Sequence, residues 1–152
     1  MTKNIDVNYF ASRIGAEVIY EGQGVFKITT SDISRPAMQF AGYFEHFVPK
    51  RVQMIGNKEM GFLTSLEPAL LEKRIREFMS DKIPVVVLCN GDEPLDILLK
   101  VAMENKVPII KTVRSTSTTN HRIVDYLDDE LAPEVTVHAN LVEVFNVGVL
   151  LR

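Results

Sequence analysis

The densest run of polar side chains in the first half of the chain lies at residues 31–36, Ser-Asp-Ile-Ser-Arg-Pro. Because Pro36 favours extended backbone at the residue before it, Arg35 is predicted to be extended, and its guanidinium could bind a carboxylate or a phosphate through two parallel N–H groups. Arg35 is therefore a candidate ligand contact. A structural interpretation also stands, in which a turn between Asp32 and Arg35 only fixes the aromatic residues that follow against the core.

A run of hydroxyl side chains at residues 115–120, Ser-Thr-Ser-Thr-Thr-Asn, precedes a predicted helix. The unpaired N–H groups at the start of a helix bind phosphate, and Lys111 and Arg114 lie close by in the sequence. Capping of the helix by these same side chains explains the run more simply. We therefore interpret the run as a cap, with a phosphate site as the alternative.

The remaining candidate residues show no spacing that is typical of catalysis. Cys89 ends an apolar run with no histidine or other base beside it, so we interpret it as a small core residue rather than a nucleophile. His46 and His121 lack partners in the sequence and are interpreted as surface histidines. The simplest interpretation of His138 from the residues alone is a strand histidine with local contacts. No Ser/His/Asp, Cys/His or metal-ligand pattern is present, which disfavours a complete small enzyme.

Composition excludes several classes of protein. The chain has 152 residues, 46% hydrophobic and 24% charged, which suits one globular domain, or one domain and the start of another. Its net charge of −3 provides no overall attraction to nucleic acid or anionic lipid. One cysteine and three histidines allow neither an internal disulfide nor a four-ligand zinc site, and no signal peptide or membrane span is predicted. These features fit the cytoplasm.

Two short basic groups, Lys50-Arg51 and Lys73-Arg74-Arg76, are interpreted as solvated faces that a partner protein could use.

The first part of the chain predicts one helix and three strands. Asp6 can cap a helix in which apolar residues recur at three and four positions, and Gly15 can end it. Residues 16–20 and 25–30 are rich in β-branched and aromatic side chains, and the glycines between them suit a hairpin loop. Residues 51–55 form a third apolar segment.

The middle of the chain alternates between strand and helix signals. Residues 68–79 carry one apolar face and begin with proline, which favours a helix. Residues 85–89 form an apolar run without alternation, as in a parallel strand covered on both faces. Asp92 is predicted to cap a helix over 94–105, after which residues 107–110 form a strand and an apolar-faced helix extends to Leu131. This order predicts an α/β fold, a layered domain with a mostly parallel sheet and crossover helices.

The pattern changes after residue 132. Residues 135–145 and 147–151 form two apolar, β-branched segments around Asn146, which predicts a β-hairpin. A strand that stops at the last residue, with no helix to cover it, is unusual for a finished domain. We therefore predict one domain over residues 1–132 and the opening of a second over residues 133–152.

Four blocks in order resemble one known family. They are residues 30–44 (TSDISRPAMQFAGYF), 51–56 (RVQMIG), 131–133 (LAP) and the segment from His138 to residues 149–151 (VLL). Together they resemble the amino-terminal part of bacterial HPr kinase/phosphorylase, and the resemblance covers nearly the whole chain. It implies an amino-terminal domain like that of the muramyl ligases, followed by the first hairpin of a kinase domain. In that family the strand matching 148–151 leads into a G-x-x-x-x-G-K-[ST] phosphate loop, which would follow Arg152 here.

The resemblance also implies an activity for the full-length protein. Such an enzyme phosphorylates a serine of the phosphocarrier HPr with ATP or pyrophosphate and Mg²⁺, reverses this by phosphorolysis, and assembles as a cytoplasmic hexamer that controls carbon catabolite repression. The resemblance marks His138 as a catalytic residue. Because the phosphate loop supplies most of the groups that neutralise the transferring phosphate, we expect residues 1–152 alone to be inactive and to bind no nucleotide cofactor. The alternative is a free-standing regulatory domain that binds a ligand and carries no kinase.

Overall fold

The computed structural model describes residues 2–133. Its strands are β1 (Lys3–Asp6), β2 (Glu17–Tyr20), β3 (Val25–Ile28), β4 (Ile33–Ser34), β5 (Val52–Ile55), β6 (Val86–Leu88) and β7 (Ile109–Lys111). Its helices are α1 (Val7–Ile14), α2 (Ala37–Phe40), α3 (Asn57–Thr64), α4 (Pro68–Phe78), α5 (Asp96–Asn105) and α6 (Thr116–Leu131). None of these helices is long and apolar enough to cross a lipid bilayer.

Five strands form the main sheet in the order β2-β7-β6-β5-β4. The pairs β4/β5, β5/β6 and β6/β7 are parallel, and β2 is antiparallel to β7 at one edge. The remaining two strands, β1 and β3, form a separate antiparallel ribbon. The prediction of an α/β fold with a mostly parallel sheet is confirmed.

The main sheet separates two apolar cores, and β6 contributes to both. Val85, Val87 and Cys89 belong to the core formed with α1, α6 and the β1/β3 ribbon. Val86 and Leu88 belong to the core formed with α2, α3, α4 and α5. Successive side chains of a strand point to opposite faces of its sheet, so a strand with cores on both sides must be apolar at every position. This explains why residues 85–89 show no alternation.

Helix α1 forms as its local sequence predicts. The Asp6 carboxylate accepts a hydrogen bond from the Tyr9 backbone N–H at 2.8 Å. Gly15 ends the helix with φ 73°, in the left-handed region that glycine adopts at low cost. The helices predicted over 68–79 and up to Leu131 are confirmed as α4 and α6.

The hairpin predicted between β2 and β3 is wrong. Both segments are strands, but β2 pairs with β7 and β3 pairs with β1. Gly22 and Gly24 do form a turn with positive φ, and the Val7 N–H donates to the Gly24 carbonyl at 2.9 Å. This turn therefore sends the chain from the main sheet into the ribbon, where Phe26 enters the core beside α1.

The cap predicted at Asp92 is also wrong. Helix α5 begins at Asp96, with Leu95 as its N-cap and no side-chain cap. Asn90 and Gly91 both have positive φ, and their N–H groups donate to the carbonyls of Arg114 and Thr112 at 2.8 Å. These bonds hold the loop after β6 against the loop after β7. Helix α5 therefore begins only after this loop, at Asp96.

Other features lie beyond the predictions or beyond the described residues. Strands β1 and β4 and helices α2 and α3 were not predicted. The hairpin predicted over 133–152, with Asn146, lies outside the described residues except for Pro133. The domain boundary at residue 132 therefore stays a prediction, although α6 ends at Leu131.

Candidate functional site at the carboxyl edge of the sheet

The carboxyl ends of β4, β5, β6 and β7 meet at one edge of the main sheet, because these strands are parallel. Arg35 follows β4, Gly56 follows β5, residues 89–92 follow β6 and Ser115 follows β7. Helices α3 and α6 begin at the same edge, so their unpaired N–H groups lie there. In open α/β sheets ligands bind in the crevice outside this edge. We call these residues, together with Glu59, Thr116 and Thr119, the carboxyl-edge cluster.

Arg35 is anchored in this cluster by Glu59. Arg35 Nη2 donates to Glu59 Oε1 at 2.8 Å and to Oε2 at 3.0 Å. The Glu59 side chain is 4% exposed, whereas that of Arg35 is 39% exposed. No hydrogen bond within residues 2–133 uses Arg35 Nε or Nη1. One side of the guanidinium is therefore fixed by a buried carboxylate, and the other side retains donors that solvent or a ligand can reach.

Glu59 also organises the start of α3. Its Oε1 accepts a hydrogen bond from the Gly56 backbone N–H at 2.6 Å. Glu59 occupies the third helical position, which is where a capping-box carboxylate reaches back to the residue before the helix. The same carboxylate therefore satisfies an N–H group at the helix start and orients Arg35.

Gly56 allows the loops after β4, β5 and β7 to approach one another. A Cβ at this position would lie 2.5 Å from Thr116 Cγ2 and 3.0 Å from Arg35 Nη2. Its φ of −107° is open to any residue, so the requirement for glycine is one of space rather than of backbone conformation. Any side chain here would push Arg35 and Thr116 apart.

The hydroxyl run at residues 115–120 caps α6. Ser115 Oγ accepts from the Thr118 N–H at 3.2 Å, and Thr119 Oγ1 donates to the Ser115 carbonyl at 2.7 Å. The capping interpretation is confirmed. The two cations near it in sequence are engaged elsewhere: Lys111 Nζ pairs with a Glu93 carboxylate oxygen, and Arg114 Nη1 donates to the Gly15 carbonyl at 2.8 Å.

Cys89 belongs to the cluster and is fully buried. Burial raises the pKa of its thiol, and a hydrogen bond with Thr119 and the positive charge of Arg35 oppose that shift only in part. A thiol with a raised pKa stays protonated near neutral pH and is a poor nucleophile. The position and the pKa therefore agree with the interpretation of Cys89 as a core residue. Close by, Asp92 Oδ2 is shielded from solvent and has no hydrogen-bond partner within residues 2–133.

The other candidates take no part in this cluster. Asp32 does not pair with Arg35 as the turn interpretation requires; its Oδ2 lies 3.7 Å from Arg51 Nη2. His46 and His121 are exposed, as predicted. His138 lies outside the described residues, so its catalytic role stays a prediction.

Sequence reasoning missed Glu59, which orients Arg35. A signal was available, because Gly56 and Glu59 have the spacing of an N-cap and a third helical position. The short helix α3 carries only a narrow apolar face, with Met60 and Leu63 buried, and periodicity alone did not reveal it.

The arrangement at the carboxyl edge can bind an anion. An arginine held from one side beside the start of a helix can take an anionic group. Within residues 2–133 no group of three histidine, cysteine, aspartate or glutamate side chains could hold a metal ion.

Comparison with protein families identifies relatives of this chain. A family model described as HPr Serine kinase N terminus matches residues 5–127. A protein from Clostridium acetobutylicum named HPr kinase/phosphorylase is 35% identical over 147 residues, which cover 97% of this chain and 48% of that protein. One of the same name from Peptoclostridium acidaminophilum is 37% identical over 150 residues, covering 98% and 49%. The chain thus spans about half the length of these relatives.

A solved structure shares the fold. It is the regulatory region of Clostridium perfringens pyrophosphatase, with its CBS and DRTGG domains, complexed with the activator diadenosine tetraphosphate. The TM-score is 0.54 and the identity 19%, and the match covers 78% of this chain and 46% of that one. At this identity the likeness concerns the fold alone.

Proposed function

The chain belongs to the HPr Serine kinase N terminus family, and on that premise we propose that it is the amino-terminal regulatory and assembly part of an HPr kinase/phosphorylase. The observation that carries this proposal is the coverage of the relatives. Proteins with that name match 97% and 98% of the chain, which corresponds to about half of their own length. In the complete enzyme, HPr would be the protein substrate, and ATP or pyrophosphate with Mg²⁺ the phosphoryl source. We further propose that the complete enzyme is a cytoplasmic homo-oligomer, a hexamer as the family resemblance implies.

The described residues, 2–133, do not fit a magnesium–nucleotide complex. The sequence contains no G-x-x-x-x-G-K-[ST] segment. Within residues 2–133 no cluster of ligating side chains could hold a divalent ion. Phosphoryl transfer depends on groups that position the phosphate and neutralise its charge. We therefore assign no step of the chemistry to the described residues.

A phosphotransfer assay tests whether residues 1–152 carry out phosphoryl transfer by themselves. Residues 1–152 are incubated with HPr, Mg²⁺ and radiolabelled ATP, beside the Clostridium acetobutylicum relative as positive control. We expect label on HPr with the relative and none above background with residues 1–152. Label transferred by residues 1–152 alone would overturn the proposal.

His138 is proposed to act in the complete enzyme, where a histidine could orient phosphate oxygens or shuttle a proton. In a protein that joins this chain to its catalytic half, His138→Ala should lower both phosphorylation of HPr and phosphorolysis by at least tenfold. His121→Ala is the matched control, because His121 is exposed on α6. Equal rates for the two variants would remove His138 from the site.

A second candidate function is supported by Arg35. Its guanidinium is fixed by Glu59 and keeps accessible donors at the edge where α/β sheets bind ligands. The chain would then be a ligand-binding regulatory domain, either within the kinase or on its own. Sequencing the gene beyond the codon for Arg152 separates the two cases, because only the first requires a phosphate loop.

NMR titration tests the ligand role of Arg35. Inorganic phosphate and acetate are titrated into ¹⁵N-labelled protein, with Arg35→Gln and the control Arg51→Gln. We expect shifts at Arg35 Nε and at the Gly56 and Thr116 amides, at least tenfold weaker binding in Arg35→Gln, and little change in Arg51→Gln. Unmoved resonances in the wild-type protein would reject the ligand role while leaving the kinase proposal intact.

A further inference from the structure

A groove lies at the opposite, amino-terminal edge of the main sheet. Its volume is about 960 Å³. One wall is the ribbon, through the paired residues Asn4 and Lys27 and their neighbours. The other wall consists of the segments that precede β5, β6 and β7, at Lys50, residues 81–84, residues 104–106 and Pro108. We call it the amino-edge groove.

The groove concentrates positive charge in a chain whose net charge is −3. Four lysines line it, namely Lys27, Lys50, Lys82 and Lys106, against two carboxylates, Asp81 and Glu104. The Glu104 carboxylate is bound by Arg76 Nη1 at 2.7 Å. Within residues 2–133 none of the ion pairs involves any of the four lysines. No carboxylate of the described residues therefore lies within ion-pair distance of these four ammonium groups, and the lysines outnumber the two carboxylates of the groove.

One end of the groove is closely packed. A Cβ on Gly22 would lie 2.7 Å from the Lys106 carbonyl oxygen and 3.1 Å from the ring of Pro108. The turn that carries Gln23 is thus held against the segment that carries Lys106. Lys106 itself has φ 59°, a left-handed conformation that is costly for a residue with a Cβ. Glycine would adopt this conformation with less strain, yet the residue is a lysine, and it lines the groove.

Compensation of helix dipoles does not account for all four lysines. Lys106 ends α5 and Lys82 follows α4, where a positive charge stabilises the carbonyl end of a helix. Lys27 lies within β3, and Lys50 lies in the loop before β5, so neither follows a helix. The lysines come from four separate segments and have the groove in common.

We propose that the amino-edge groove binds a small polyanion with at least two phosphate or carboxylate groups. Lysine ammonium groups bind phosphate as point charges, and lysines on facing walls require a ligand with several anionic groups. The volume is at the upper end of the range of small-molecule sites. A long nucleic acid would also meet the rest of an acidic chain, so a small ligand suits the groove better.

Calorimetry with two probes tests the proposal. Inorganic tripolyphosphate and citrate are titrated separately into residues 1–152 at low salt and again at about 0.5 M salt, where exposed charges are screened. The test variant is Lys82→Gln/Lys106→Gln. The control is Lys58→Gln/Lys100→Gln, which removes the same charge from exposed positions outside the groove. Amide shifts in ¹⁵N spectra locate the bound probe.

We expect the wild-type protein to bind at least one probe, with shifts at Gln23 and Asn105, and the tighter probe identifies the anionic group. Affinity should fall at least tenfold in the groove variant and less than twofold in the control. An equal loss in both variants would show non-specific attraction and overturn the proposal. So would the absence of binding at low salt, or shifts confined to the carboxyl-edge cluster. Self-association that only the groove variant abolishes, without probe binding, would assign the groove to a second copy instead.

Discussion

The two edges of the main sheet use charged side chains in different ways. At the carboxyl edge, the nearly buried Glu59 holds Arg35 and caps Gly56, so charge is built into the local structure. At the amino edge, four lysines on separate segments form no ion pair within residues 2–133. Removing a buried group that bonds its neighbours lowers the free energy of unfolding substantially, whereas removing an unpaired surface charge changes it little. Substitutions at the carboxyl edge should therefore change mainly the stability of the fold. Substitutions of the lysines at the amino edge should change mainly the affinity for a ligand.

The largest effect is expected at Glu59. Glu59→Ala leaves the Gly56 N–H and Arg35 without their acceptor, and we expect a loss of about 2–3 kcal/mol in the free energy of unfolding. Part of the larger cost of a broken buried pair is avoided because Arg35 can reach water. Denaturation by urea measures the loss, with Glu72→Ala as control, because Glu72 forms an exposed pair with Arg76. A similar loss in both variants would contradict the contrast between the edges.

Gly56→Ala should cost about 1–3 kcal/mol, because its Cβ meets Thr116 and Arg35. Gly61→Ala, within the helix α3 that Gly56 precedes, is the control, since no atom lies within 4 Å of a Cβ there. Alanine is a better helix former than glycine, so Gly61→Ala should stabilise the chain by about 0.5–1 kcal/mol. Opposite signs in urea denaturation support close packing at the carboxyl edge, and equal signs would refute it.

Lys106→Gly should increase the free energy of unfolding by about 1 kcal/mol, because glycine adopts φ 59° without strain. Lys106→Ala removes the same charge but keeps a Cβ, and it should leave stability within about 0.5 kcal/mol of wild type. Both variants should weaken binding of tripolyphosphate. A glycine variant that is more stable and yet binds less would separate the binding role of Lys106 from a structural one. A glycine variant that binds as tightly as wild type would place Lys106 outside the site.

The smallest effect is the pH dependence contributed by Cys89. Its pKa is raised in the folded chain, so the unfolded chain releases the thiol proton first as pH rises. The stability that depends on the neutral thiol is complete below the pKa of an unfolded cysteine, about 8.5, and is lost above it with a limiting slope of about 1.4 kcal/mol per pH unit.

Urea denaturation between about pH 7.5 and pH 9.5 measures that slope. The wild-type protein should lose stability more steeply than Cys89→Ala over this range. Tyr126 also has a raised pKa, but it is present in both proteins and an unfolded tyrosine titrates near pH 10. Parallel slopes would mean that Cys89 is not held neutral by burial.

Local features were predictable where neighbours in sequence decide them. Asp6, Gly15 and the intervening apolar residues suffice for α1, because a helix satisfies its hydrogen bonds within a few residues. The same holds for the Ser115 cap of α6. The absence of alternation over 85–89 was enough to predict a parallel strand with cores on both sides, which is confirmed for β6.

Pairing between distant segments was not predictable in this way. The glycines between β2 and β3 suited a hairpin, yet β2 pairs with β7 about ninety residues away in sequence. Strand hydrogen bonds join separate segments, and a turn sequence does not specify which strands meet. Asp92 was likewise predicted to cap a helix from its local sequence. In the structure the preceding residues, Asn90 and Gly91, instead form hydrogen bonds with the loop after β7.

The sequence by itself determined the caps of α1 and α6, the apolar faces of α4 and α6, the α/β class and the family, because these depend on residue type and spacing along the chain. Only the tertiary structure decided that Glu59 anchors Arg35, and that lysines from four segments line one groove. Both arrangements join residues far apart in sequence. Their geometry is set by strand order and by the packing of two cores against the sheet, and no local pattern encodes that packing.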